Sequence, residues 1–248
     1  MTSKRIATAL GVVLAVTALA GAAFARHDNE EKGGKIVDSG SFGVYVNGKR
    51  VATETFTIKQ FADSSLTTSK FEMNDGATKR VQTYEMQLSA SGKLINYTWK
   101  EESPEKGEAV VEPQNQFLNE RITGPDGKTH NQPFLMEAST VILDDYFFSQ
   151  REILLWRYLA SECKVQPGQD SCKLPKANFP IVIPRQHLSS MVSVEYVGPE
   201  VMTIHGVREQ LRHFRIQPEG PAWDLWLNSQ QKLVRVSIPE TNTIVERD

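Results

Sequence analysis

The stretch Phe42-Gly43-Val44-Tyr45-Val46-Asn47-Gly48-Lys49-Arg50-Val51-Ala52-Thr53-Glu54-Thr55-Phe56-Thr57-Ile58 decides the fold class. Phe42, Val44 and Val46 alternate with smaller or polar residues, and Ala52, Phe56 and Ile58 repeat the alternation beyond Asn47-Gly48. Successive side chains of a strand point to opposite faces, so a period of two marks a strand with one buried side. Asn-Gly readily adopts the positive φ that a tight hairpin turn requires. Two antiparallel strands are therefore expected here. Glu54 shares the apolar face. Either that face is partly solvated, or a carboxylate enters an apolar concavity, where its charge is costly without a partner. A strand end near the rim is the expected placement.

Outward from this hairpin the pattern recurs. Residues 65–73 read as a strand, Asn74-Asp75-Gly76 turns the chain, and Tyr84, Met86 and Leu88 alternate up to Ser91-Gly92. Ile95, Tyr97 and Trp99 share a face, residues 101–107 form a charged turn around Pro104, and 109–111 make a short strand. Residues 117–123 and 129–136 flank Gly124-Pro125-Asp126-Gly127, a further turn signature. Short strands separated by turn chemistry predict a mainly β protein built on one large antiparallel sheet or open barrel.

The rhythm changes at residues 144–161, which contain neither Gly nor Pro. Phe147, Phe148, Leu154, Leu155, Tyr158 and Leu159 recur at helical intervals, and Asp144 or Asp145 is placed to cap the start. The spacing predicts one principal helix over about 144–161, packing its apolar stripe onto the sheet. Strand patterning then resumes at 179–183, at Val192, Val194 and Tyr196 before Gly198-Pro199, and at 201–204, 207–216, 223–227, 232–238 and 243–246. The expected order is meander, helix, cysteine loop, meander.

The N-terminus bears on compartment. Lys4 and Arg5 precede an apolar stretch, 6–20, and Ala23-Phe24-Ala25 follows as a cleavage-type site. The run is shorter than the roughly 20 residues needed to span a bilayer. Residues 1–25 are expected to be a signal peptide, 26–35 a flexible leader and 36–248 a single β-rich domain, exported to the periplasm or beyond. Cleavage removes Lys4 and Arg5 and no acid, leaving 26 basic against 30 acidic side chains. This mild acidity excludes a nucleic-acid footprint, which needs concentrated positive charge. Only two cysteines exist, Cys163 and Cys172; outside the cytoplasm the pair predicts a structural disulfide across the 163–172 loop. No membrane span is expected after cleavage.

Constellations that carry chemistry are sparse. His187, His205 and His213 lack the close spacings of local metal motifs, although His205 and His213 are near enough in sequence to meet across neighbouring strands. No G-x-S-x-G elbow occurs, and neither cysteine has an evident histidine base. Asp144-Asp145 and Glu101-Glu102 fit a helix start and a charged turn. Arg208, Arg212, Arg215 and Arg235, interspersed with acids, read as a solvated face. Asn96-Tyr97-Thr98 fits a glycosylation sequon, which matters only in a glycosylating host. No catalytic residue, metal or cofactor is expected.

Phe42-x-Val44-x-Val46-x-Gly48-x-x-Val51-Ala52, running on to Phe56-Thr57-Ile58, resembles the opening hairpin of exported bacterial proteins grouped as domains of unknown function. Ala52 stands where that pattern has its second glycine. The ending Trp223-Asp224-Leu225-Trp226-Leu227, with Gln231-Lys232-Leu233-Val234-Arg235-Val236, is similar to their final strands. These families resemble the half-barrel fold of periplasmic lipoprotein carriers, a curved antiparallel sheet with helix closing its concave side. The resemblance implies a non-catalytic carrier for a lipid or other apolar ligand, and brings no catalytic residues. Phe42, Val44, Val46, Phe56, Ile58, Tyr84, Met86 and Leu88 are then expected to line the ligand space, with Phe148, Leu155 and Leu159 as a lid. The alternatives are an envelope protein that binds a protein partner without a small ligand, and a hydrolase or metal-dependent enzyme drawing on His205, His213 and Glu54.

Overall fold

The computed structural model describes residues 33–74, 76, 79–164, 171–172 and 176–248. The expected signal peptide, most of the leader and most of the cysteine loop lie outside the described residues. The first meander comprises β1 (Lys35–Val46), β2 (Lys49–Gln60), β3 (Ser64–Asn74), β4 (Lys79–Ser89), β5 (Leu94–Ser103), β6 (Gly107–Gln114), β7 (Phe117–Thr123) and β8 (Thr129–Phe134). The short β9 (Val141–Ile142) and helix α1 (Phe148–Glu162) follow, then β10 (Cys163–Lys164) and β11 (Ser171–Cys172), which pair only with each other. The second meander is β12 (Lys176–Ile183), β13 (Leu188–Ile204), β14 (Val207–Gln217), β15 (Trp223–Leu227), β16 (Leu233–Ile238) and β17 (Thr243–Arg247).

Fifteen of these strands form one curved, unclosed sheet in the order β8-β7-β6-β5-β4-β3-β2-β1-β17-β16-β15-β14-β13-β12-β9. All pairings are antiparallel except β9 with β12. The two meanders meet where β1 pairs β17, with Phe42 opposite Arg247 and Val44 opposite Val245. Arg247 ties this seam down. Its guanidinium donates to the buried Asp38 carboxylate at 2.6 and 3.0 Å, and lies over the Phe42 and Phe56 rings at 5.7 and 5.2 Å. Burial alone would raise the Asp38 pKa, but Arg247 and Lys232 outweigh it and hold the carboxyl below its ordinary value.

The turns follow local chemistry. Asn47 and Gly48 both have positive φ (50° and 77°), the backbone of a two-residue hairpin turn whose twist matches the flanking strands. His205 and Gly206 do the same at the tip of β13–β14. Gly198-Pro199 breaks nothing: the register shifts between Tyr196 and Gly198, a bulge inside the 17-residue β13, instead of the strand boundary expected there.

α1 packs on the sheet's inner face, as expected, but starts at Phe148, four residues later than the predicted 144. Phe148 meets Phe42 edge-on at 6.3 Å and Tyr158 meets Phe214 edge-on at 6.1 Å. Each large side chain so buried contributes about 1.5–3 kcal/mol. The segment before the helix joins the same core through Phe134, Val141, Ile142, Leu143 and Phe147. No helix among the described residues is long and apolar enough to cross a membrane.

Candidate functional site

The first turn of any helix leaves four N–H groups without partners. At α1 those groups are buried, and the residue preceding the helix, Phe147, offers no side-chain cap. Glu54 of β2 supplies one. Its carboxylate accepts the Phe148 N–H at 2.5 Å, the Ser149 N–H at 3.3 Å, the Ser149 hydroxyl at 2.5 Å and the Ser69 hydroxyl at 2.8 Å. The Tyr84 hydroxyl joins Ser149 at 2.7 Å. Glu54 is wholly buried, so the rim placement expected from the sequence is overturned. Burial pushes its pKa up, while the four donors and the positive helix end pull back toward the charged form.

Asp144 and Asp145, expected as caps, serve elsewhere. Asp144 accepts the Tyr97 hydroxyl at 2.5 Å and the Arg185 N–H at 3.0 Å, and burial pushes its pKa up to about 6. Asp145 pairs with the Arg185 guanidinium at 2.5 Å. Next in α1, Arg151 donates to the carbonyls of Asp144 and Phe147 and lies 4.7 Å over the Trp223 ring. Glu152 accepts the Leu233 N–H at 3.1 Å. Burial drives the Arg151 pKa down and the Glu152 pKa well up.

Glu120 on β7 is wholly buried and lies 3.1 Å from His187 Nδ1, while Gln132 donates to the His187 carbonyl at 2.9 Å. Burial first, then the Asp144 charge, pushes Glu120 up to about 8, and burial lowers His187. A protonated carboxyl donates from Oε2 to a neutral imidazole, while Glu120 Oε1 is buried without a hydrogen-bond partner. The pair joins the far strands of the first meander to the turn after β12 and so fastens the two halves of the sheet.

The other residues singled out for chemistry do not converge. His205 bonds the Arg247 carbonyl at 2.7 Å. His213 lies between Asp224 and Glu200 at 2.8 and 3.2 Å and stacks on Trp226 at 4.8 Å. It shares a strand face with Leu211 and Trp226, opposite the core-facing Phe214, whereas Glu54 is sealed under α1. No cluster of three or more metal-ligating side chains occurs among the described residues.

Two concavities differ sharply in character. A groove of about 870 Å³ on the outer face of β2–β7 is lined by threonines with Lys70, Glu85, Lys100, Glu108, Glu112 and Arg121, a broad mixed-sign surface open to water. The second, of about 470 Å³, lies between α1 and the β4–β5 end of the sheet. Met86, Leu88, Ile142, Ile153, Leu154 and Trp156 give it apolar walls, and Arg157 is the one charged residue among the described residues on its lining. Its volume falls in the range of about 300–1,000 Å³ typical of small-molecule sites.

Of the residues expected to line a ligand space, only Met86 and Leu88 reach this cleft. Phe42, Val44, Phe56, Ile58, Tyr84, Phe148, Leu155 and Leu159 are buried in the core and Val46 is half-buried. α1, the segment preceding it and the second meander cover the inner face more fully than the alternation in one meander suggested. The cleft itself was not legible, because Ile153, Trp156 and Arg157 lie on the flank of α1 away from the apolar stripe. Cys163 and Cys172 are directly opposite in the β10–β11 ladder.

A scan against protein-family models and searches of the curated proteins and of the solved structures found no match, so the resemblance rests on the two end motifs alone.

Proposed function

We propose that this chain is an exported, non-catalytic binding module that holds a lipophilic ligand in the cleft between α1 and the β4–β5 end of the sheet. One observation carries the reading: beside the buried core of the inner face, a space of about 470 Å³ is walled largely by apolar side chains. An acyl chain entering it gains roughly 0.8 kcal/mol per buried methylene. Export after cleavage behind Ala25 and a Cys163–Cys172 disulfide belong to the same reading. The β10–β11 register that sets the cysteines opposite each other favours the bond.

Native mass spectrometry of protein purified from its own compartment, followed by solvent extraction, tests the proposal. The expected result is a mature chain beginning at Arg26, two hydrogens lighter than its dithiol form, carrying an extractable apolar molecule. Leu88→Trp, which fills the cleft, is expected to release that molecule. Protein that is reproducibly empty and takes up no added acyl compound would overturn the carrier reading. An envelope interaction protein would then stand in its place, with the exposed Val197, Val201 and Val207 of the β13–β14 arm as its first candidate surface.

A further inference from the structure

We infer that the occupant of the α1 cleft is a single-chain amphiphile with a carboxylate head, of the fatty-acid class, and that Arg157 receives the head. The inference rests on the cleft reading above and deepens it. Arg157 is half-buried on the lining and, among the described residues, makes no hydrogen bond or ion pair. The contrast with its helical neighbour is direct: Arg151, also on α1, donates to two carbonyls and packs on Trp223. A guanidinium that has lost part of its water without gaining a partner is energetically exposed, and burial accordingly lowers its pKa.

The surrounding chemistry narrows the head group. Gln60, the one amide side chain among the described lining residues, already donates to the Phe61 and Ser64 carbonyls, both at 2.9 Å. Arg157 therefore faces the ligand as a lone cation. Its planar fork matches one carboxylate through two parallel hydrogen bonds and neutralises a single negative charge. A phosphate monoester, carrying about −1.5 to −2 at neutral pH, would leave part of its charge uncompensated beside apolar walls.

The test uses the mature chain, stripped of bound lipid, in isothermal titration with dodecanoate, dodecanol and dodecyl phosphate, which share one alkyl chain. Dodecanoate is expected to bind at least about ten-fold more tightly than dodecanol, the effect of one charged hydrogen-bonded contact. Arg157→Gln is expected to reduce dodecanoate to the level of dodecanol while leaving dodecanol unchanged, which also shows that the variant is folded. Equal affinity for dodecanoate and dodecanol, or undiminished dodecanoate binding by Arg157→Gln, overturns the head-group assignment and leaves the cleft reading intact. Tighter binding of dodecyl phosphate than of dodecanoate overturns the carboxylate class. Binding of none of the three overturns the cleft reading and the assignment with it.

Discussion

At its N-terminal end α1 meets the Glu54 carboxylate, which accepts its first N–H groups and the hydroxyls of Ser69 and the helix's own Ser149, itself joined to Tyr84, whereas its flank borders an apolar space with, among the described residues, a single unpartnered arginine. Both regions set charged groups against apolar surroundings. In the first, donors and acceptors close on themselves, so the polar groups stabilise the fold and none is left to meet a ligand. In the second, the charge has no internal use. Buried polarity alone therefore does not mark a site in this protein; polarity left open beside a cavity does.

The largest test of that contrast is the pair Glu54→Leu and Arg157→Leu. Removing Glu54 strands buried donors at the start of α1, and a loss of about 3 kcal/mol is expected in urea denaturation. Arg157→Leu should change stability by no more than about 0.5 kcal/mol, or raise it, because no hydrogen bond or ion pair among the described residues is lost and leucine keeps an apolar side chain in place of the arginine stem. Equal losses would break the comparison.

A pH series sharpens it. Glu120 has a folded pKa raised to about 8, so the stability it contributes is complete below its unfolded value near 4.5 and is lost as pH rises through about 8. Asp144, raised to about 6, acts with the same sign in a lower window. Denaturation at pH 5, 7 and 9 should show stability falling across the series from these two groups, with Glu120→Gln gaining on the parent at pH 9 and not at pH 5. A parallel response of parent and variant would mean that burial does not hold Glu120 in its protonated form.

Smaller effects follow. Tyr97→Phe removes one hydrogen bond to Asp144 and should cost about 1 kcal/mol by thermal unfolding. Leu88→Trp, filling space that the fold does not use, should alter stability by less than about 1.5 kcal/mol while excluding dodecanoate. A larger loss would mean that the cleft is already closed by side-chain motion.

These contrasts also mark what the sequence could reveal. The hairpins were legible because their signals are local: Asn47-Gly48 sets its own backbone, and the alternation of Phe42, Val44 and Val46 is a property of adjacent residues. The helix was legible in its body and misplaced at its start, because its cap comes from a residue 94 positions away in sequence. Two adjacent aspartates nearby gave a plausible local answer that tertiary contacts overrode. Gly198-Pro199 reads as a break, yet a long strand absorbs it as a bulge. Arg157 carries no sequence signal at all, since only the fold shows that its neighbours leave it unpaired.

The join between β1 and β17 has a consequence for how the chain matures. Asp38 and Arg247, whose ion pair fastens that join, are 209 residues apart. A chain made from its N-terminus thus completes the centre of its sheet last, and β1 presents an unpaired edge throughout synthesis of the second meander. Pairings this distant slow folding, and open edges invite association with other chains. The interval before β17 arrives is when this protein is most open to misassembly, and loss of residues 243–248 would make that interval permanent, leaving two meanders joined through α1 and the core instead of one continuous sheet.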